Sequence, residues 1–137
     1  MVRQHVCIPR CRWCVEIYYD ARPSNADEIL DALWDLGCAE QHMYKAERLL
    51  RSGTPNEGLT YSNKYERRTL IVITRASSIG EFISTTIHEV DHMVDHISQY
   101  YSIPYDSEEN SYLIGDVAKT IYEDAVKNAI KIFRDYL

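Results

Sequence analysis

Residues 69–101, TLIVITRASSIGEFISTTIHEVDHMVDHISQYY, decide how the chain is read. The run TLIVIT (69–74) is short, apolar and β-branched, the composition of a buried strand. Ser77 and Ser78 then offer hydroxyls to the first free N–H groups of a helix. That helix is expected to continue through IGEFISTTIHEVDHMVDHISQYY until Ile103-Pro104 stops it. On a helical wheel Ile87, Val90, Val94, Ile97 and Tyr101 share one face, and His88, His92, Asp95, His96 and Gln99 share the other. The helix should therefore have a core side and a cleft side.

Within it, His88-Glu89-Val90-Asp91-His92 is H-E-x-x-H. Four residues at 100° each return to within about 40° of the start and rise about 6 Å, so the two imidazoles project side by side and can share one tetrahedral Zn²⁺. Glu89 points slightly aside, where it can take a proton from a metal-activated water as general base. His96 stands about 12 Å along the axis from His88, too far to bind the same ion. The competing reading is a solvated polar face that happens to place His at i and i+4.

Working outward, CVEIYYDA (14–21) has strand composition and ends at the Pro23-Ser24-Asn25 turn cluster. In ADEILDALWDLG, Ile29, Leu30, Leu33, Trp34 and Leu36 recur at helical spacing between a possible Asn25 cap and Gly37. Residues from about Glu40 to Leu50 read as a second amphipathic helix with Met43, Ala46, Leu49 and Leu50 inward, and SGTPNEG ends it. GLTYS and TLIVITR, separated by NKYERR, make a hairpin in which TLIVIT is the better buried strand. Asp106-Ser107 can cap a last helix from about Glu108 to Tyr136, striped by Leu113, Val117, Ile121, Ala125 and Ile132. No repeat or linker interrupts the chain. The expectation is one α+β domain over residues 1–137: a small sheet, made of an N-terminal strand plus the hairpin, packed on the HExxH helix and a long C-terminal helix. A Cys-rich arm occupies residues 1–14.

At 137 residues, with 45% hydrophobic and 26% charged residues, the chain can build a core and is neither low-complexity nor wholly disordered. A net charge of −6 argues against a broad nucleic-acid surface, so no nucleic-acid partner is expected. The charge is uneven: residues 1–76 carry +1 and residues 77–137 carry −7. That favours cation capture by the half holding the motif, and basic rather than acidic substrate segments. No apolar run approaches a membrane span or a secretory leader, which points to a cytoplasmic protein without a membrane partner. Cys7, Cys11 and Cys14 crowd together rather than spreading as a disulfide framework does, so reduced thiols are expected. A structural zinc on these three with His5 or Cys38 is the alternative. Their spacing also matches the cluster loop of radical-SAM enzymes, but it precedes the first strand and no βαβ series follows.

HEVDH on a helix that follows a hydrophobic strand and precedes a second helix resembles the zincin metallopeptidases, and is most similar to their gluzincin branch. The metzincin pattern would need Gly at position 95 and His at 98, which are Asp95 and Ser98. In gluzincins the third zinc ligand is a Glu on the following helix, which points to Glu108 or Glu109. The segment SEENSYLIGDV also resembles the E-x-x-x-Y-L-x-G segment of small HExxH metallopeptidases of phages and mobile elements, and there Glu108 takes the ligand place. Glu109 lies nearer the apolar stripe and is the second choice. The resemblance implies a zinc-dependent hydrolase of peptide bonds with His88, His92 and Glu108 holding one Zn²⁺ and Glu89 as the base. Tyr105, Tyr112 and His96 are candidates at the groove rim for stabilising the transition state. The competing function is a non-catalytic zincin scaffold that grips a host or regulatory protein. In so short a chain the cleft is minimal, and a partner or a dimer would complete its wall.

Overall fold

The computed structural model describes residues 1–134, and its centre is a four-stranded mixed sheet. Strand β1 (Val2–Ile8) pairs antiparallel with β2 (Trp13–Ala21), and β3 (Gly58–Asn63) pairs antiparallel with β4 (Arg68–Thr74). The two hairpins join because β2 lies parallel to β4, giving the order β1-β2-β4-β3. The inner strands are buried on both faces, which is why TLIVIT reads as a continuous apolar run rather than an alternation.

Period-2 alternation sends Trp13, Val15, Ile17 and Tyr19 of β2, with Ile71 and Ile73 of β4, to one face. Tyr18, Leu70 and Val72 go to the other. Helices α1 (Ala26–Asp35) and α2 (Glu40–Ser52) cover the second face; α3 (Ile79–Tyr101) and α4 (Glu108–Phe133) cover the first. An extra residue in β2 between Tyr18 and Ala21 bulges the strand, with Asp20 at φ 58°. The fold is α+β, with the sheet packed on the HExxH helix and the long C-terminal helix as expected from the sequence.

Four details differ from the sequence reading. Residues 2–8 are not an arm but the edge strand β1, docked through buried Gln4 and Ile8. Gln4 accepts a hydrogen bond from Tyr19 Oη (2.6 Å) and donates to the Ile121 carbonyl of α4 (3.3 Å). Cys7 and Cys14 face each other in register across β1 and β2 and are joined as a disulfide, which replaces both the reduced-thiol expectation and the three-cysteine zinc site. Directly opposed residues on antiparallel strands are close enough for such a bridge, and Cys11 and Cys38 remain as thiols. Trp34 and Ile87 are exposed (64% and 51%), whereas Thr86, Glu89 and Met93 are buried on α3. In α4 the buried stripe is Leu113, Val117, Ile121, Ala125, Ala129 and Phe133, with Ile132 only half-buried; the expected end at Tyr136 lies outside the described residues.

Helices α3 and α4 run antiparallel and are fastened at both ends. Phe82 packs edge-on against Phe133 with ring centroids 6.1 Å apart. At the other end Ser98 Oγ donates to Asn110 Oδ1 at 2.7 Å, and Asn110 Nδ2 donates to the Tyr105 carbonyl. Each helix has the serine cap its sequence offers: Ser78 accepts from the Glu81 N–H and Ser107 from the Asn110 N–H. No helix among the described residues is long and apolar enough to cross a membrane.

Candidate metal centre

His88 and His92 lie one turn apart on the solvent side of α3, and their rings meet edge to face. Their Nε2 atoms are 3.2 Å apart. Two zinc–nitrogen bonds of about 2.05 Å at a tetrahedral angle place their nitrogens about 3.3 Å apart, so the pair already has the spacing of two ligands on one ion. A Glu89 carboxylate oxygen completes a group whose ligand atoms all lie within 4.8 Å of one another. This His88–Glu89–His92 group is H-E-x-x-H in three dimensions and is able to hold a metal ion.

The three residues differ sharply in environment. Both histidines are exposed, but Glu89 is only 4% exposed, because β3 runs across it. Thr60 Oγ1 of that strand is 3.0 Å from the Glu89 carbonyl and 3.2 Å from its Oε1, sharing one hydroxyl proton between them. The strand gets this close at Gly58: a Cβ there would lie 2.7 Å from Glu89 Cγ and 2.7 Å from the Val72 carbonyl oxygen. Burial pushes the Glu89 carboxyl above its ordinary range, while His92, His88 and the Thr60 hydroxyl pull it part of the way back. A carboxylate whose proton affinity is raised in this way is a better proton acceptor than a solvated one.

His96, one further turn along, faces β3 as well. Its Nδ1 is 2.6 Å from Ser62 Oγ, Ser62 Oγ is 2.7 Å from Thr69 Oγ1, and Trp13 Nε1 donates to Thr69 Oγ1 at 2.8 Å. The indole can only donate. A chain in which Thr69 donates to Ser62 and Ser62 donates to Nδ1 satisfies every member when His96 is neutral with its proton on Nε2. Burial accordingly lowers the His96 pKa, Lys64 and His92 lower it further, and Asp95 partly offsets them.

The structure does not bring Glu108 or Glu109 into the His88–Glu89–His92 group. Both are exposed in the first turn of α4, and the Ser98–Asn110 bond holds that turn six residues past His92, about 9 Å along α3. Glu109 lines a different cleft. Tyr112 lies under the Arg10 guanidinium, 5.6 Å from ring centroid to Cζ, and Tyr105 is 86% exposed in the α3–α4 connection. Of the three rim candidates, His96 stands one helical turn past His92. Gly58, Thr60 and Ser62 were not singled out by sequence reasoning; the available signal was a glycine opening a strand, which often marks a close approach of backbone.

Beside the centre, a groove of about 470 Å³ follows the free edge of β3, walled by His42 and Lys45 of α2 on one side and Lys64 and His96 on the other. Thr74 donates its N–H to the Glu57 carbonyl. Alternation along the antiparallel pair then leaves the N–H and C=O groups of Gly58, Thr60 and Ser62 facing away from β4. Among the described residues lining this groove there is no carboxylate, and its charged side chains are Lys45 and Lys64. Comparison of the chain with protein-family models, with curated proteins and with solved structures finds no match.

Proposed function

We propose that the protein is a zinc-dependent hydrolase of peptide bonds, with His88 and His92 holding the ion and Glu89 accepting the proton. The observation that carries this is the 3.2 Å convergence of the two Nε2 atoms beside a buried carboxylate of raised proton affinity. The resemblance of HEVDH and its flanking strand and helix to the zincins, and to their gluzincin branch, supports the same reading. When bound, zinc supplies a Lewis acid that polarises a carbonyl and makes water more acidic. The chain's own groups do the rest. Thr60 holds one carboxylate oxygen of Glu89 and leaves the other to take a proton. The free N–H and C=O groups of Gly58, Thr60 and Ser62 pair with an extended peptide as an added strand, setting its backbone along the groove next to α3. Lys45 and Lys64 make neutral or acidic segments the better occupants, in place of the basic ones expected from the charge of residues 77–137.

One observation favours a second reading, a non-catalytic scaffold that binds a protein partner. Catalytic zinc has three protein ligands as a rule, and Glu108 and Glu109 stand apart from the histidine pair. The test is zinc content by elemental analysis after equilibrium dialysis, together with cleavage of a mixed peptide library, for wild type, His88→Ala and Glu89→Gln. One zinc per chain in wild type, its loss in His88→Ala, and zinc without cleavage in Glu89→Gln are the expected results. Zinc retained in His88→Ala overturns the ion site. Stoichiometric zinc in wild type with no cleavage of any library peptide favours the scaffold.

A further inference from the structure

Two hairpin turns at one end of the sheet build a second cleft, about 13 Å along α3 from His92 at the level of Tyr101. Strand β1 enters β2 through residues 9–12, and β3 enters β4 through residues 64–67. Because β2 and β4 are parallel, the turns lie side by side, with the Cys14 N–H on the Arg67 carbonyl at 3.0 Å. Both close in the same way: the Arg12 N–H reaches the Pro9 carbonyl (3.4 Å) and the Arg67 N–H reaches the Lys64 carbonyl (3.3 Å). Both also end in the left-handed region, at φ 52° for Arg12 and 53° for Arg67.

Glycine is the residue that turn position favours, and a larger side chain there costs stability. Among the described residues the other non-glycine ones at positive φ are Asp20, Asn56 and Ser102, whose short polar side chains can bond locally. An arginine has no such support, yet this chain places one at the strained position of each turn, and both line a single cleft of about 490 Å³. Arg10 lines it too but is engaged, 3.0 Å from Asp116 and stacked over Tyr112. Among the described residues no hydrogen bond or ion pair engages the side chain of Arg12 or Arg67, and Arg67 is half-buried. A guanidinium drawn partly out of water without a partner is unfavourable until an anion meets it.

We infer that this cleft binds an organic phosphate monoester, its phosphate held by Arg12 and Arg67 and its apolar part resting on Tyr101, Ile103 and Leu113. Two unpaired guanidiniums match a dianion better than a carboxylate, and their planar forks suit phosphate oxygens. The cleft has the volume of a small-ligand site. Glu109, the one acid among the described residues lining it, is a charge that weakens rather than makes the site.

The probe is phenyl phosphate, titrated calorimetrically into the full chain beside inorganic phosphate and benzoate. Saturable binding is expected, tighter than for either of the other two. Arg12→Gly and Arg67→Gly should each weaken it about tenfold or more while leaving the melting temperature equal or higher, since glycine relieves the left-handed turn. Arg12→Asn, which also tolerates that turn, should match Arg12→Gly. Glu109→Gln should tighten binding. The inference fails if phenyl phosphate does not saturate, if inorganic phosphate or benzoate binds as well, or if the arginine variants bind like wild type. It also fails if Glu109→Gln and the arginine variants all lower stability, because the arginines then serve Glu109.

Discussion

Replacing Gly58 with alanine tests the contact that buries Glu89. The added Cβ meets Glu89 Cγ and the Val72 carbonyl oxygen, each at 2.7 Å, and the Glu89 carboxyl carbon at 3.1 Å. Ordinary contact begins near 3.4 Å, so about 0.7 Å of movement is required on two sides at once. The Glu89 side chain can turn, but only by leaving the Thr60 hydroxyl. The Val72 carbonyl belongs to the inner strand and cannot yield without shifting the β3–β4 ladder. Overpacking of this kind costs about 1–3 kcal/mol, and the smaller entropy of unfolded alanine returns about 0.4–1 kcal/mol. The net loss is about 0.5–2 kcal/mol. For a chain of this length it lowers the melting temperature by about 2–8 °C. Urea unfolding of Gly58→Ala, alone and in a Glu89→Ala background, measures it. Part of the cost should vanish when the Glu89 side chain is absent, while the Val72 part stays. If Gly58→Ala equals or exceeds wild type in stability, β3 does not press on Glu89 and the explanation of its raised proton affinity falls.

Three further outcomes follow from other contacts. Thr60→Val keeps the shape of residue 60 but strands the Glu89 carboxylate without its donor, a loss of about 1–3 kcal/mol by urea unfolding; in a Glu89→Ala background the loss should shrink, and an undiminished loss would assign it to something else. For His96, a pKa lowered in the fold from 6.5 means that protonation opposes folding. Stability should be full above pH 6.5 and fall as the pH drops below it, and His96→Gln should flatten that part of the wild-type profile; parallel profiles refute the buried neutral imidazole. Thiol titration of the denatured, unreduced protein should find two free thiols, Cys11 and Cys38, and four after reduction. Closing the short loop from residue 7 to residue 14 is worth at most about 2.5 kcal/mol, so the reduced chain should remain folded, and unfolding on reduction would show that β1 depends on the bridge.

What could be read from the sequence is what is local. TLIVIT and the capped helix after it depend on neighbouring residues, and so does the pairing of His88 with His92, since any α-helix places i and i+4 together. The parts that the sequence does not show are set by contacts between distant segments. β1 hides because only Gln4 and Ile8 of its seven residues are buried, and its register rests on a disulfide and on the Gln4–Tyr19 and Gln4–Ile121 hydrogen bonds. Where α4 starts relative to the histidines depends on contacts such as the Ser98–Asn110 bond and the Ser107 cap. A spacing of 16 or 17 residues after His92 carries no such information.

The buried arc of α3 makes the same point with a consequence for chemistry. A wheel of α3 alone centres its apolar face near Val90 and Ile97, leaving Glu89 beside the histidines on the open flank. In the fold β3 covers that flank, so the arc turns toward Glu89: Ile87 is released to solvent on the opposite side, while Glu89 and half-buried His96 are drawn under the strand. The motif is thereby split, with its two nitrogen ligands open to an ion and its carboxylate in a drier place. One strand does three things at once: Gly58 permits the approach, Thr60 and Ser62 satisfy the polar atoms it buries, and its unpaired edge lies open along the groove next to α3. These roles depend on a single placement. A change that lifts β3 from α3 should therefore return Glu89 to ordinary acidity and deform the groove together, even with His88 and His92 untouched.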